Sequence, residues 1–162
     1  MINAQKNPAS KKISLAEMEP VLCELLSAGG SFRMTITGTS MLPTLHDGRD
    51  QVEISAPARP YRKYDLPLYK RDNGQFVLHR IVRIAPDGSI TCCGDHQCVL
   101  EPGLRQDQML GLVVGFCRKG KSFSADHLGY RIWVRFWMML FPCRHFLVRV
   151  YHFVDRLRKK RS

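Results

Sequence analysis

Between Ser31 and about Cys117 the sequence runs in short segments of alternating apolar character, "SFRMTI", "QVEIS", "LPLYKR", "QFVLHRIVRI", "SITCC" and "MLGLVVGFC", separated by turn residues. A period of two is what a half-buried strand needs, because successive side chains point to opposite faces. Asp72-Asn73-Gly74 and Pro86-Asp87-Gly88 supply residues that tolerate a left-handed backbone, so hairpins are predicted at both places. The expected fold is mainly β, a coiled antiparallel domain over 31–118.

Two flanking regions do not follow this pattern. Residues 1–30 read as a polar, lysine-rich extension followed by a short helix in "SLAEMEPVLCELLSAGG". Ser14 and Glu17 have capping-box spacing, and Gly29-Gly30 ends the pattern; Pro20 removes a backbone donor, so a start at Pro20 is the alternative. Residues 119–162 read as a linker, Gly120 to Gly129, and a basic aromatic tail.

The net charge of +11 sits mostly in that tail: Tyr130 to Ser162 holds 9 of the 25 Lys and Arg and only Asp155 among the acids. On a helical wheel Arg131, Arg135, Arg149 and Arg156 cluster, while Trp133, Phe136, Trp137, Leu140, Leu147, Val148 and Tyr151 fill the remaining arc, with Pro142 expected to kink or split the helix. Arginine recurs too often for a spanning helix, since each central arginine costs about 2.5–3.5 kcal/mol on insertion. Such a helix suits either the headgroup region of an anionic membrane or a packing site on the β domain. No recognition helix or stacking sheet is legible, so no nucleic-acid partner is expected.

The six cysteines are scattered, two of them adjacent, and no secretory apolar region opens the chain. Reduced thiols are the expectation. Cys92, Cys93, His96 and Cys98 in "CCGDHQC" hold metal-ligating atoms, but there is no second Cys-x-x-Cys pair and His96-x-Cys98 is too tight for a closed zinc site. Neither a metal nor a cofactor is expected.

Two residues stand out chemically. Ser40 lies in "TITGTSMLPTLHDG", and His79 alternates with Val77 and Ile81 on one strand face. Burial disfavours imidazolium, so His79 should be neutral near pH 7, as a general base must be. From the residues alone, the plainer readings are a turn serine at Ser40 and a core histidine at His79.

"GTSMLPTLHDGRD" resembles the nucleophile box of type I signal peptidases, "YRKYDLPLYKRDNGQFVLHRIVRI" their following strand boxes, and "CCGDHQ" their Gly-Asp-Asn box. The likeness covers about Thr35 to Gly115. It implies a β peptidase fold of the signal-peptidase type, with Ser40 as nucleophile, His79 as general base in the serine-histidine manner, and Asp95 orienting or stabilising the imidazole; Glu101 and Asp107 are alternatives for that third role. Self-cleaving repressors of the SOS type share the Gly-x-Ser-Met motif but use lysine, and Lys70 falls outside the base strand in this register. Gly38 stands where many signal peptidases have a hydroxyl supporting the oxyanion. That leaves the Ser40 amide, with the Thr39 side chain as a second candidate donor, and losing one donor costs about 10²–10³ in rate. Arg49 also interrupts the usual Gly-Asp.

The resemblance implies a serine endopeptidase that cuts leader or signal-type peptides after small residues at small-x-small sites. The basic tail would place it peripherally on an anionic membrane, at the cytoplasmic face, or leave it cytoplasmic. Self-processing at Ala28-Gly29 and a non-catalytic peptide-binding or membrane-binding role on the same scaffold are the other readings.

Overall fold

In a computed structural model of the chain, residues 15–143 and residue 146 are described. The helix α1, Leu15–Ser27, carries Pro20 inside it and buries Leu22 and Leu26, one turn apart. It therefore starts before Pro20, while Ser14 lies outside the described residues. Gly29, at φ 80°, ends it: the Gly29 and Gly30 amides donate back to Leu26 and Leu25 at 3.0 and 2.9 Å, as left-handed C-caps do. Glu19 binds Lys70 at 2.6 Å and ties the helix to the sheet.

Nine strands follow: β1 Ser31–Thr35, β2 Asp50–Ser55, β3 Pro67–Lys70, β4 Phe76–Leu78, β5 Arg80–Ile84, β6 Ile90–Cys93, β7 Glu101–Leu104, β8 Met109–Arg118 and β9 Lys121–Ser124. Six of them form a curled antiparallel sheet in the order β1-β2-β8-β3-β4, with β9 on β8, and β5-β6-β7 form a second sheet. The mainly β, antiparallel reading holds. Val52, Ile54, Leu68, Val113 and Phe116 of the large sheet close a core with Met41 and Leu45, while Tyr69, Val77, Ile81, Ile90, Cys92 and Leu104 fill a second one.

Both expected hairpins are present, with Gly74 and Gly88 each at φ 83°. Two strands depart from the sequence reading. Lys121–Ser124 is β9 and not linker, because Lys119 and Gly120, at φ 50° and 76°, form a two-residue turn that folds the chain back onto β8. Glu101–Leu104 is a strand despite Pro102 and Gly103, which an edge position tolerates. The expected single strand "QFVLHRIVRI" is also broken: β4 ends at Leu78 and β5 begins at Arg80, in different sheets. His79 is the residue on which the chain crosses from one sheet to the other.

The tail opens with α2, Leu128–Met139, and a 3-10 turn, Phe141–Cys143, follows at Pro142. Arg149, Arg156 and the rest of the expected helical tail lie outside the described residues. The helix packs on the body: Phe116 and Tyr130 rings meet at 4.5 Å, Val134 is buried, and Trp133 and Trp137, stacked on each other at 5.8 Å, both bond to body residues. Among the described residues no helix is long and apolar enough to cross a membrane. All six cysteines are free thiols.

Candidate active site

The segment from Ile36 to Asp50 is a loop held at both ends. The Ile36 amide donates to the Asp50 carbonyl and the Gly48 amide to the Ile36 carbonyl, both at 2.9 Å. Met41 and Leu45, buried in the main core, anchor its middle. Gly38, at φ 87°, donates its amide to Asp47 Oδ1 at 2.9 Å, a conformation that side chains disfavour. Asp50 anchors the far end, 1% exposed. Burial pushes its carboxyl toward the protonated form, but Arg49, the His46 amide and Arg118 outweigh that and hold its pKa at about 2. Arg118 also donates to the Thr44 carbonyl.

Half-buried Ser40 sits in this loop, and its carbonyl accepts from the His96 amide at 2.8 Å. A Cβ on Gly94 would lie 2.6 Å from the same carbonyl, so only glycine lets the two loops approach this closely. Neither the amide nor the hydroxyl of Ser40 bonds another described residue. Both are left available to an incoming carbonyl.

His79, 5% exposed, shares a cleft of about 330 Å³ with Ser40, walled by Ile36, Met41, Leu68 and Val77. No hydrogen bond joins the two side chains in this conformation. Behind the ring, the Tyr69 hydroxyl donates to Glu101 Oε2 at 2.7 Å and stands 3.4 Å from His79 Nδ1. Because that hydroxyl proton is already committed to Glu101, the oxygen offers Nδ1 a lone pair. That arrangement suits the tautomer with the hydrogen on Nδ1, in which Nε2 is the basic nitrogen. Glu101 lies 3.8 Å from Nδ1 and is fixed by two 2.6 Å bonds from Arg71. Burial lowers the His79 pKa, Glu101 partly opposes this, and Arg71 adds to the lowering. Burial alone would raise Glu101, but the bonds from Arg71 and Tyr69 prevail and keep it ionised.

Asp95 sits differently from the expectation. Its two oxygens accept from Arg80 Nε and Nη2 at 2.8 and 2.7 Å, with both side chains at or below 1% exposure, and it makes no hydrogen bond to His79. It acts on the imidazole only through its charge. Arg80 also donates to the Tyr64 carbonyl and to the Tyr130 hydroxyl, while the Trp137 indole donates to the Asp95 carbonyl at 2.9 Å and the Trp133 indole to Thr44 Oγ1 at 3.3 Å. Three aromatics of α2 thus clamp the loop of Ser40, the start of β5 next to His79, and the loop of Asp95. Composition showed an amphipathic tail but not this clamp.

Other candidates take structural places. Asp107 is exposed against Arg105 at 3.1 Å and Lys70 pairs with Glu19 at 2.6 Å, away from His79; Asp65, at the entry to β3, pairs with Arg59 at 2.8 Å. Thr39 is exposed beside Ser40. Cys92 lies in the core, where burial pushes its thiol up to about 12, and Cys93 Sγ faces the carbonyls of Gly94, Gln97 and Val99 at 3.4 Å. No group of three metal-ligating side chains occurs among the described residues. Ala28-Gly29 lies in the cap of α1 and does not line the cleft, whereas Leu15 does.

No known family model matches the chain, and no curated protein matches it.

Proposed function

We propose that this protein is a serine endopeptidase of the signal-peptidase type, cutting leader or signal-type peptides after small residues. The observation that carries the reading is the meeting of Ser40 and His79 in one cleft, with Tyr69 and Glu101 behind Nδ1 of the imidazole. Ser40 Oγ attacks the substrate carbonyl while Nε2 takes its proton, the amine leaves with that proton, and water resolves the acyl-enzyme by the same route. The unpaired Ser40 amide supports the oxyanion in place of the hydroxyl missing at Gly38. Tyr69 and Glu101 take the base-orienting role, and Asp95 secures Arg80 beneath the base. The cleft, with Ile36, Met41 and Val77 beside the polar Thr37, Gln75 and Gln97, suits an extended peptide with small side chains and a backbone to hydrogen-bond, and the basic, aromatic α2 suits a substrate presented at an anionic membrane surface.

A fluorophosphonate probe tests the nucleophile directly. Intact-mass analysis should show one adduct on Ser40 in the wild type, slowed at least 100-fold in His79→Ala. Labelling equal in both proteins would remove the base. The missing Ser40–His79 hydrogen bond favours a second reading, peptide binding without turnover, and peptide affinity unchanged in Ser40→Ala with no cleavage by the wild type would support that one.

A further inference from the structure

Away from the cleft, α2 forms one wall of a second cleft of about 440 Å³. Arg131 and Arg135 face it from the helix, and Arg59, Arg62 and Lys63 from the loop before β3. Only Asp65 and Asp126 oppose them, and Asp65 is held by Arg59. Among the described residues, Arg62, Arg131 and Arg135 make no ion pair or side-chain hydrogen bond, and Lys63 lies only over the Tyr64 ring at 5.1 Å. Five converging guanidinium and ammonium groups against two carboxylates, one of them taken up by Arg59, attract phosphate.

Beside this cleft the outer face of α2 is apolar. Leu128, Ile132, Phe136 and Met139 are 69, 58, 49 and 70% exposed and follow helical spacing, while Tyr130, Val134 and Trp137 face the body. A protruding apolar stripe bordered by unpaired arginines matches the boundary of a bilayer, where side chains enter the acyl region and cations meet phosphates. A nucleic acid would use the cations but has no partner for four exposed apolar side chains on a helix.

We propose that the cleft between α2 and the Arg62-Lys63 loop binds the phosphate headgroup of an anionic membrane phospholipid while the Leu128–Met139 stripe enters the bilayer interface. This deepens the peptidase reading by naming the surface on which the enzyme works, yet binding itself does not depend on catalysis. The floor of the cleft, Tyr64 and Tyr130, bonds Arg80 next to His79, so docking bears on the same scaffold as the base.

The test is co-sedimentation of the full chain with vesicles of phosphatidylglycerol and phosphatidylcholine in equal parts, and with phosphatidylcholine alone. Each cation near an anionic surface contributes about 1 kcal/mol, so Arg62→Gln/Lys63→Gln should weaken binding about thirty-fold, as should Arg131→Gln/Arg135→Gln. Ile132→Ser/Phe136→Ser should lose vesicle binding with an unchanged melting temperature. The proposal is overturned if the Arg62/Lys63 variant binds like wild type, since the remaining tail charge then suffices. Equal binding to neutral vesicles, or binding to single-stranded RNA with none to vesicles, also overturns it. Loss of peptide cleavage with vesicle binding intact would count against the peptidase reading and leave this one standing.

Discussion

Arg80 and Asp95 face each other through two hydrogen bonds of 2.8 and 2.7 Å with almost no solvent contact. Removing one partner of a buried pair strands the other charge, which costs about 3–5 kcal/mol. Asp95→Asn is therefore expected to lower stability by that amount in urea denaturation, while its folded fraction keeps cleaving. A variant that melts like wild type but is inactive would instead give Asp95 a direct part at His79.

On the proposed reading, the pH profile of cleavage reports His79 as the base. Burial holds the His79 pKa below its ordinary value of 6.5, so cleavage is expected to persist below that pH and fall only on further acidification. The linkage has a definite sign: between the folded pKa and 6.5 the unfolded chain binds more protons, so this group makes stability rise with pH and erodes it on acidification through that window. Glu101→Gln removes the charge that raises His79, and the acid limb of the rate profile should move to lower pH. A limb that stays in place would detach Glu101 from the base.

Gly94 tests the packing of the two loops. Alanine there collides with the Ser40 carbonyl and moves Ser40, the proposed nucleophile, and a displacement near 1 Å costs about 10²-fold in rate. Gly94→Ala should lose at least that much in kcat with KM little changed. Wild-type turnover would mean that the Ser40 loop tolerates displacement.

The sequence made the strands legible wherever alternation and turn chemistry agreed, as at Asp72-Asn73-Gly74 and Pro86-Asp87-Gly88. It hid β7, where Pro102 and Gly103 disfavour a strand, and with β7 it hid how Glu101 comes to lie 3.8 Å from His79 Nδ1. Alternation placed His79 on an apolar face with Val77 and Ile81, but the break between sheets at His79 arises from long-range pairing that no local pattern encodes. Buried Arg80 reads as a solvent-facing residue in an alternating strand; only its pairing with Asp95, from another strand's end, allows it inside. The tail's amphipathicity was plain, whereas its three aromatic contacts to the site depend on where α2 docks.

Tyr61 offers a stability test outside the site. Its hydroxyl is buried with no hydrogen-bond partner among the described residues. Removing an unsatisfied polar atom recovers part of a desolvation cost of about 1–3 kcal/mol, so Tyr61→Phe should raise the urea midpoint. A lower midpoint would show that the hydroxyl is satisfied in solution.

Cleavage of a peptide pool carrying small-x-small sites, read by mass spectrometry for wild type, Ser40→Ala and His79→Ala, bears most directly on the Ser40–His79 pair. Cuts after small residues in the wild type that vanish in both variants are expected. Cuts that persist in either variant, or a wild type that binds the peptides and never cleaves them, would contradict a Ser40–His79 peptidase.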